Sequence, residues 1–368
     1  MTHRSLPALI SIALAVGACF PTRGLATEPS PNVSQALARV EQRIRSGEIP
    51  NVHGVIVVRK GVTLAEWYFE GADARRDSGA IGLVKFDWAT LHDVRSVTKS
   101  VVSLLFGIAI ANGAIKSLDI PVLDFFPEYK DLQATERRLI TLRHLLSMTA
   151  GLRWDESSYP YTDRRNSETA MGVADDPMRY VLEQPLESLP GSQFRYNGGS
   201  AELIAQVLTR ATKMNLEDFA TQTLFEPLGI TQFEWYKDAR GVPFAASGLR
   251  LLPRDMAKIG RLMIEKGFQG GRQVVPETWV KASVSPQAPF TNGGECGFNY
   301  GYFWWLLPTC AANPASGWYS AVGNGGHRIY VVPEQELVIV VTAGLYDDSQ
   351  QTLAVRQLIQ GIRGALSN

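Results

Sequence analysis

The order of predicted elements, strands first, a long helical stretch next, then strands and a closing helix, predicts an α/β protein of the α+β kind. Its antiparallel sheet, flanked by helices, is built from both ends of the chain, and an all-helical domain is inserted. Three observations carry this. Residues 55–58 and 64–69 read as two strands around the turn Lys60-Gly61, which makes a hairpin. Between Ile115 and about Trp235 the apolar positions keep helical spacing, interrupted by Pro-, Gly- and Asp-rich turns. Residues 302–307, 328–332 and 337–343 return to strand patterning before a helix at 351–365. The expected division is a leader at 1–26, an α/β domain from 27–114 and 240–368, and a helical domain at 115–239.

Taken in order, residues 33–45 form an amphipathic helix ahead of the hairpin. Residues 97–111 are apolar nearly all round, so that helix is buried, and it starts at Ser96. The inserted region supplies helices at 142–148, 178–183, 201–212 and 216–224. Helices at 254–266 and 277–282 follow before the last strands. No internal repeat or low-complexity linker interrupts the chain.

Composition limits the function. Lys+Arg and Asp+Glu both number 36, with no run of five or six like charges, so there is no electrostatic footprint for nucleic acid or an anionic membrane. A small ester, amide or short peptide suits the chain better. Arg4 followed by an apolar run to Phe20, Pro21 and the small residues Gly24 and Ala26 reads as a signal peptide cleaved after Ala26, giving a periplasmic or secreted protein. The run is shorter than the ~20 residues of a membrane span. Val16-Gly17-Ala18-Cys19 offers the alternative of a lipoprotein anchored through Cys19. Cys296 and Cys310 then remain as an even pair, either bridged or two separate thiols.

Ser96-Val97-Thr98-Lys99 carries the chemistry. A serine and a lysine three apart on a helix share one face, close enough for proton transfer. At the helix start, the backbone N–H of Ser96 and the positive helix end favour an oxyanion. A desolvated Lys99 serves as base. About one such match arises by composition in a chain of this length, and the competing role is a helix cap followed by a solvent-facing lysine. Tyr196 lies in Phe194-Arg195-Tyr196-Asn197-Gly198-Gly199-Ser200, a turn into a helix that projects a phenol or holds a loop aromatic. Gly323-Asn324-Gly325-Gly326-His327 precedes a strand and either exposes N–H groups to an anion or makes an ordinary hairpin turn. The histidines lack metal-site spacing, no serine sits in G-x-S-x-G, and neither P-loop nor G-x-G-x-x-G occurs, so no cofactor is implied.

In this order and at these separations the three motifs resemble the serine β-lactamase and penicillin-binding-protein superfamily. The resemblance is nearest to the class C-related branch with 6-aminohexanoate-dimer hydrolases and family VIII carboxylesterases. Ile140-Thr141-Leu142-Arg143-His144-Leu145-Leu146-Ser147-Met148-Thr149-Ala150-Gly151-Leu152, Pro190-Gly191, Glu226-Pro227-Leu228-Gly229-Ile230, Ala246-Ser247-Gly248-Leu249 and Arg254-Asp255 support it, from about residue 50 to the C-terminus. The resemblance implies Ser96 as nucleophile, Lys99 as general base and Tyr196 as proton shuttle to the leaving group. It places the oxyanion hole at Ser96 and at Asn324 or Gly325, with Gly326 beside them, and makes Trp154 and Tyr159 candidates for a substrate wall, core packing being the other role for each. The pattern Y-x-N would need Asn where Gly198 stands. K-T-G is absent, with no lysine or arginine from Ala321 to His327, which favours neutral esters and amides over β-lactams. Other outcomes of the same resemblance are a D-peptidase or β-lactamase, or a non-catalytic protein that recognises peptidoglycan or a peptide.

Overall fold

The computed structural model describes Met1 and residues 30–290, 297–308 and 317–367. Cys19, Cys296, Cys310 and all of the leader but Met1 lie outside the described residues.

Val/Ile-rich runs from opposite ends of the chain form the middle of the sheet. Val52–Arg59 pairs antiparallel with Leu337–Ala343, setting Val55 against Val341 and Val57 against Ile339, and pairs on its other side with Val62–Tyr68. Among the described residues the sheet has eight strands, continuing from Leu337–Ala343 through His327–Val332, Tyr319–Gly323, Trp305–Pro308 and Phe298–Tyr300 to Ala288–Phe290. Both faces are covered, which is why the central strands read as continuous apolar runs. On one face lie Pro31–Arg45 and Ser349–Leu366, packing through Leu37, Val40, Leu358 and Ile362. On the other lie Val97–Ala111 and Pro253–Ile264.

The uniformly apolar Val97–Ala111 helix is buried along almost its whole length, with Lys99 as its one charged residue. Against it packs the long inserted helix Gly198–Thr212. A small sheet joins the inserted region to the approach to Ser96: Phe233–Trp235 pairs with Leu249–Leu251, which pairs with His92–Asp93.

Several segments depart from the sequence expectation, three of them for a clear physical reason. The strand expected at 302–307 begins only at Trp305, because Phe303 is left-handed (φ 62°) and Gly301 donates to the Trp304 carbonyl in a tight turn. The helix expected at 216–224 ends at Ala220 and continues as a π-turn, Thr221–Phe225. A hairpin of Glu70–Arg75 and Gly79–Lys85 was not signalled, since its second strand is almost wholly exposed and lacks alternation. Among the described residues no helix is long and apolar enough to cross a membrane.

Candidate active site

The turn before the Val97–Ala111 helix sets the geometry. Arg95 holds φ 51°, a conformation that non-glycine residues rarely adopt, while its guanidinium donates to the Ala74 carbonyl and lies 4.2 Å from the centre of the Tyr346 ring. Ser96 follows as the first residue of the helix entry. Its side chain makes no capping bond and Lys99 is 1 % exposed, so the cap-and-solvent alternative does not hold. Lys99 Nζ lies 3.0 Å from Ser96 Oγ and donates to the Ala246 carbonyl at 2.8 Å.

Tyr196 comes to the same place from the inserted region. The loop ending the Leu142–Leu146 helix anchors it, since Arg195 N–H donates to the Met148 carbonyl, and the Asn197 side chain then caps the helix Gly198–Thr212 by accepting from Ser200 N–H. Lys99 Nζ sits 5.0 Å from the centre of the Tyr196 ring, and Trp305 stacks on that ring at 5.8 Å. Burial pushes the Tyr196 phenol well above its ordinary range, Glu156 adds to this, and the hydrogen-bonding Ser96 side chain opposes it. Ser96, Lys99 and Tyr196 therefore converge on one place.

Three acids that carry no local sequence signal surround this trio. Glu168 is fully buried, accepts from Ser247 Oγ at 2.7 Å, and faces Arg76 at 3.0 Å and Lys99 at 3.7 Å. Burial opposes its ionisation, but Arg76 and Lys99 outweigh burial and hold the carboxyl below the usual range. Glu156 accepts from the indole of Trp154, from Gly198 N–H and, at 2.8 Å, from Tyr161. Burial, then the charge of Glu168, push it up. Glu202 accepts from Ala246 N–H at 2.7 Å, and burial pushes it up to about 8. The departure at Gly198 now has a physical reason. A Cβ there would come within 2.6 Å of Glu168 and 2.7 Å of Glu156, so two carboxylates fill the space an asparagine would need.

The glycine turn lies at the far end of the site. Gly323 admits the close approach of the Val94 carbonyl, two residues before Ser96, where a Cβ would collide. Asn324 exchanges hydrogen bonds with Asp347, at 2.7 Å through its Nδ2 and 2.9 Å through its Oδ1. Gly325 packs on the Tyr346 ring and Gly326 against Gln351, Val355 and Ala343. None of these contacts involves Ser96, Lys99 or Tyr196. The strand before the turn has a signal that sequence reasoning missed. Leu307 N–H donates to the Trp318 carbonyl and Trp305 pairs with Ser320, so by the antiparallel alternation Val322 turns its N–H to the same side, beyond the last pair.

Of the two expected wall residues, Trp154 is 2 % exposed and packs edge-on to Tyr180 at 6.2 Å, which matches core packing. Tyr159 is partly exposed, with the guanidinium of Arg165 4.3 Å from its ring centre.

Behind the Ser96 turn three histidines gather that spacing in the chain did not connect. His53 stacks on Phe86 at 3.9 Å, Phe86 on His92 at 4.7 Å, and His327 is buried nearby. Burial pushes His53 down to about 4, despite its bond to the Ala72 carbonyl, and pushes His92 and His327 well below their ordinary value. A histidine whose folded pKa is depressed stabilises the fold fully above the unfolded value of about 6.5, and that stability is lost as pH falls below it, by up to about 1.4 kcal/mol per pH unit for each group. Glu202 and Glu156, pushed up by burial, gain stability over the same window, so the check is a difference: from pH 6.5 to pH 4.5 the urea midpoint should fall more, or rise less, in the parent than in a His92→Asn variant, and equal changes in the two would refute the neutral cluster. Among the described residues no group of His, Cys, Asp and Glu is arranged to hold a metal ion.

Comparison with known proteins agrees with this architecture. The family model described as Beta-lactamase matches residues 37–359. The 6-aminohexanoate-dimer hydrolase of Paenarthrobacter ureafaciens is 25 % identical over 318 residues, covering 83 % of this chain and 74 % of that protein. Among solved structures, a family VIII carboxylesterase superposes with TM-score 0.68 at 14 % identity, over 92 % of this chain and 99 % of its own. A class C β-lactamase from Rhodobacter sphaeroides does so with TM-score 0.64 at 18 % identity, over 89 % and 99 %.

Proposed function

This chain belongs to the beta-lactamase family, and from that premise we propose that it is a serine hydrolase that opens an ester or amide, with no charge beside the scissile carbonyl, through an acyl-enzyme on Ser96. The convergence of Ser96 Oγ, Lys99 Nζ and the Tyr196 ring on one place carries the reading. Lys99 takes the proton of Ser96 as Oγ attacks the carbonyl carbon. Tyr196, its phenol kept protonated by burial, hands a proton to the departing oxygen or nitrogen. Water then attacks the acyl-enzyme, its proton passing to the same pair, and the acid leaves. The oxyanion rests on the N–H of Ser96 and on one from the end of the Tyr319–Gly323 strand. The strand alternation supports Val322 there, whereas the sequence pointed to Asn324 or Gly325, residues of the turn beyond. In this proposal the leader at 1–26 exports the protein, with lipidation at Cys19 as the alternative.

The substrate preference follows from charge. A β-lactam carries a carboxylate beside the scissile amide, and a buried anion requires a cation or several donors. No lysine or arginine stands from Ala321 to His327, and burial keeps His327 neutral. Nitrocefin is accordingly expected to be a poorer substrate than a short p-nitrophenyl ester when kcat/KM is measured for both, and a lactam value equal to or above the ester value overturns the assignment. A protein that only recognises peptides would not react with a fluorophosphonate probe, which labels an activated serine.

A further inference from the structure

A cavity of about 630 Å³, which the catalytic reading does not use, is bounded by the Tyr319–Gly323 and His327–Val332 strands and the C-terminal helix Ser349–Leu366. Its walls are aromatic: Phe298, Trp305, Trp318 and Tyr330 line it. Among the described residues its charge is of one sign, since Arg328, Arg356 and Arg363 line it and no described lining residue carries a carboxylate. Arg328 is 7 % exposed, and its Nη1 donates to the carbonyls of Gly323 and His327, at 3.1 and 2.7 Å. Arg363 donates to the Tyr330 hydroxyl at 3.1 Å, and the guanidinium of Arg356 lies 5.2 Å from the centre of the Phe298 ring. Burial, and after it the charge of Arg356, push Arg328 down to about 10. Like charges gathered in a partly enclosed space repel, and an anion removes that repulsion while guanidinium forks match a carboxylate's two oxygens.

None of Ser96, Lys99 and Tyr196 lines the cavity, but its wall reaches them. Trp305 lines it and stacks on Tyr196, and Gly323, which lines it too, is the residue against which the Val94 carbonyl packs. We propose that this cavity is an acid-binding subsite, which holds a carboxylate at the far end of an apolar acyl arm whose scissile carbonyl lies at Ser96. The aromatic walls would cover the arm's methylene groups, and the arginines at the C-terminal helix would meet its charge. This inference rests on the hydrolase reading above.

The test compares mono-p-nitrophenyl esters of the straight-chain diacids from adipate to sebacate with the same esters capped as methyl esters at the far end. For at least one chain length the free acid is expected to exceed its capped twin in kcat/KM by about tenfold, worth about 1.4 kcal/mol. Arg356→Gln, and separately Arg363→Gln, should bring that ratio close to one through KM. Equal kcat/KM for both esters of every length, or a ratio unmoved in both variants, overturns the proposal. A second measurement does not need turnover: sebacate added to the Ser96→Ala protein should change the fluorescence of Trp305 and Trp318, with a weaker dissociation constant in the Arg356→Gln background. Binding of sebacate without turnover of any ester would sink the hydrolase reading and keep the acid site, whereas turnover of capped esters without sebacate binding would sink the acid site alone.

Discussion

Ser96→Ala is expected to lower kcat for a p-nitrophenyl ester by about a thousandfold or more and to abolish labelling by a fluorophosphonate, while the protein unfolds at the same urea concentration as before. The first part follows from the covalent step: no second hydroxyl is paired with a lysine amine at this site. The second follows from the fold. Ser96 makes no capping bond, so its hydroxyl contributes little to the helix it begins, and alanine leaves the backbone turn at Arg95 unchanged. Lys99→Ala is expected to be nearly as damaging, and the double variant hardly worse than either, because groups acting as a unit are not additive. Retention of more than about one per cent of the activity in Ser96→Ala, or losses that add in the double variant, would remove the pair from its role.

Elements with a strong local period were readable from the chain. The helix Val97–Ala111 was expected with the same limits because it is apolar nearly all round, and the hairpin at Lys60-Gly61 because turn residues separate a β-branched run from an aromatic-rich one. Ser96 and Lys99 were readable for the same reason: they lie one helical turn apart in the same element, so spacing alone puts them together. Tyr196 needed the resemblance, since nothing in its turn says where the phenol points.

The charges around that trio could not be read this way. Glu156 comes from a loop, Glu168 from a short helix capped by Asn166, and Glu202 from the Gly198–Thr212 helix. Exposed acids are the rule, and no period distinguishes one that ends buried beside a lysine brought from another element. The histidine cluster is equally non-local, with His53, His92 and His327 on three different strands. The donor proposed for the oxyanion, Val322, differs from the Asn324 or Gly325 of the sequence reading for a related reason: a glycine-rich stretch announces close backbone approach, but only the strand register says which N–H is left over at the edge.

Glu168→Gln is expected to move the acid limb of the kcat/KM profile for a neutral ester down by about one to three pH units. In the proposed reaction the Ser96 proton passes to Lys99, whose Nζ lies 3.7 Å from Glu168, so the charge at position 168 enters the proton balance of the reacting pair. At an effective dielectric constant of about 20, unit charges 4 Å apart interact by about 4 kcal/mol, which sets the upper end of the shift. The sign follows from the charge removed: Glu168 faces both Arg76 and Lys99, and taking a negative charge away from this cluster makes it easier for the site to release a proton, which carries the limb to lower pH. Glutamine also leaves Arg76 buried without its partner, a change that costs about 3–5 kcal/mol in comparable buried pairs. The double variant Arg76→Gln with Glu168→Gln removes both charges and retains the side-chain volume, and its limb should also move down, by less. Melting curves give the folded fraction at each pH, and fluorophosphonate labelling rates on that fraction report the serine directly. A glutamate that only held the structure together would reduce the amount of active protein and leave the limb in place, and an unmoved limb in both folded variants ends the case for Glu168 as the residue that positions and tunes Lys99.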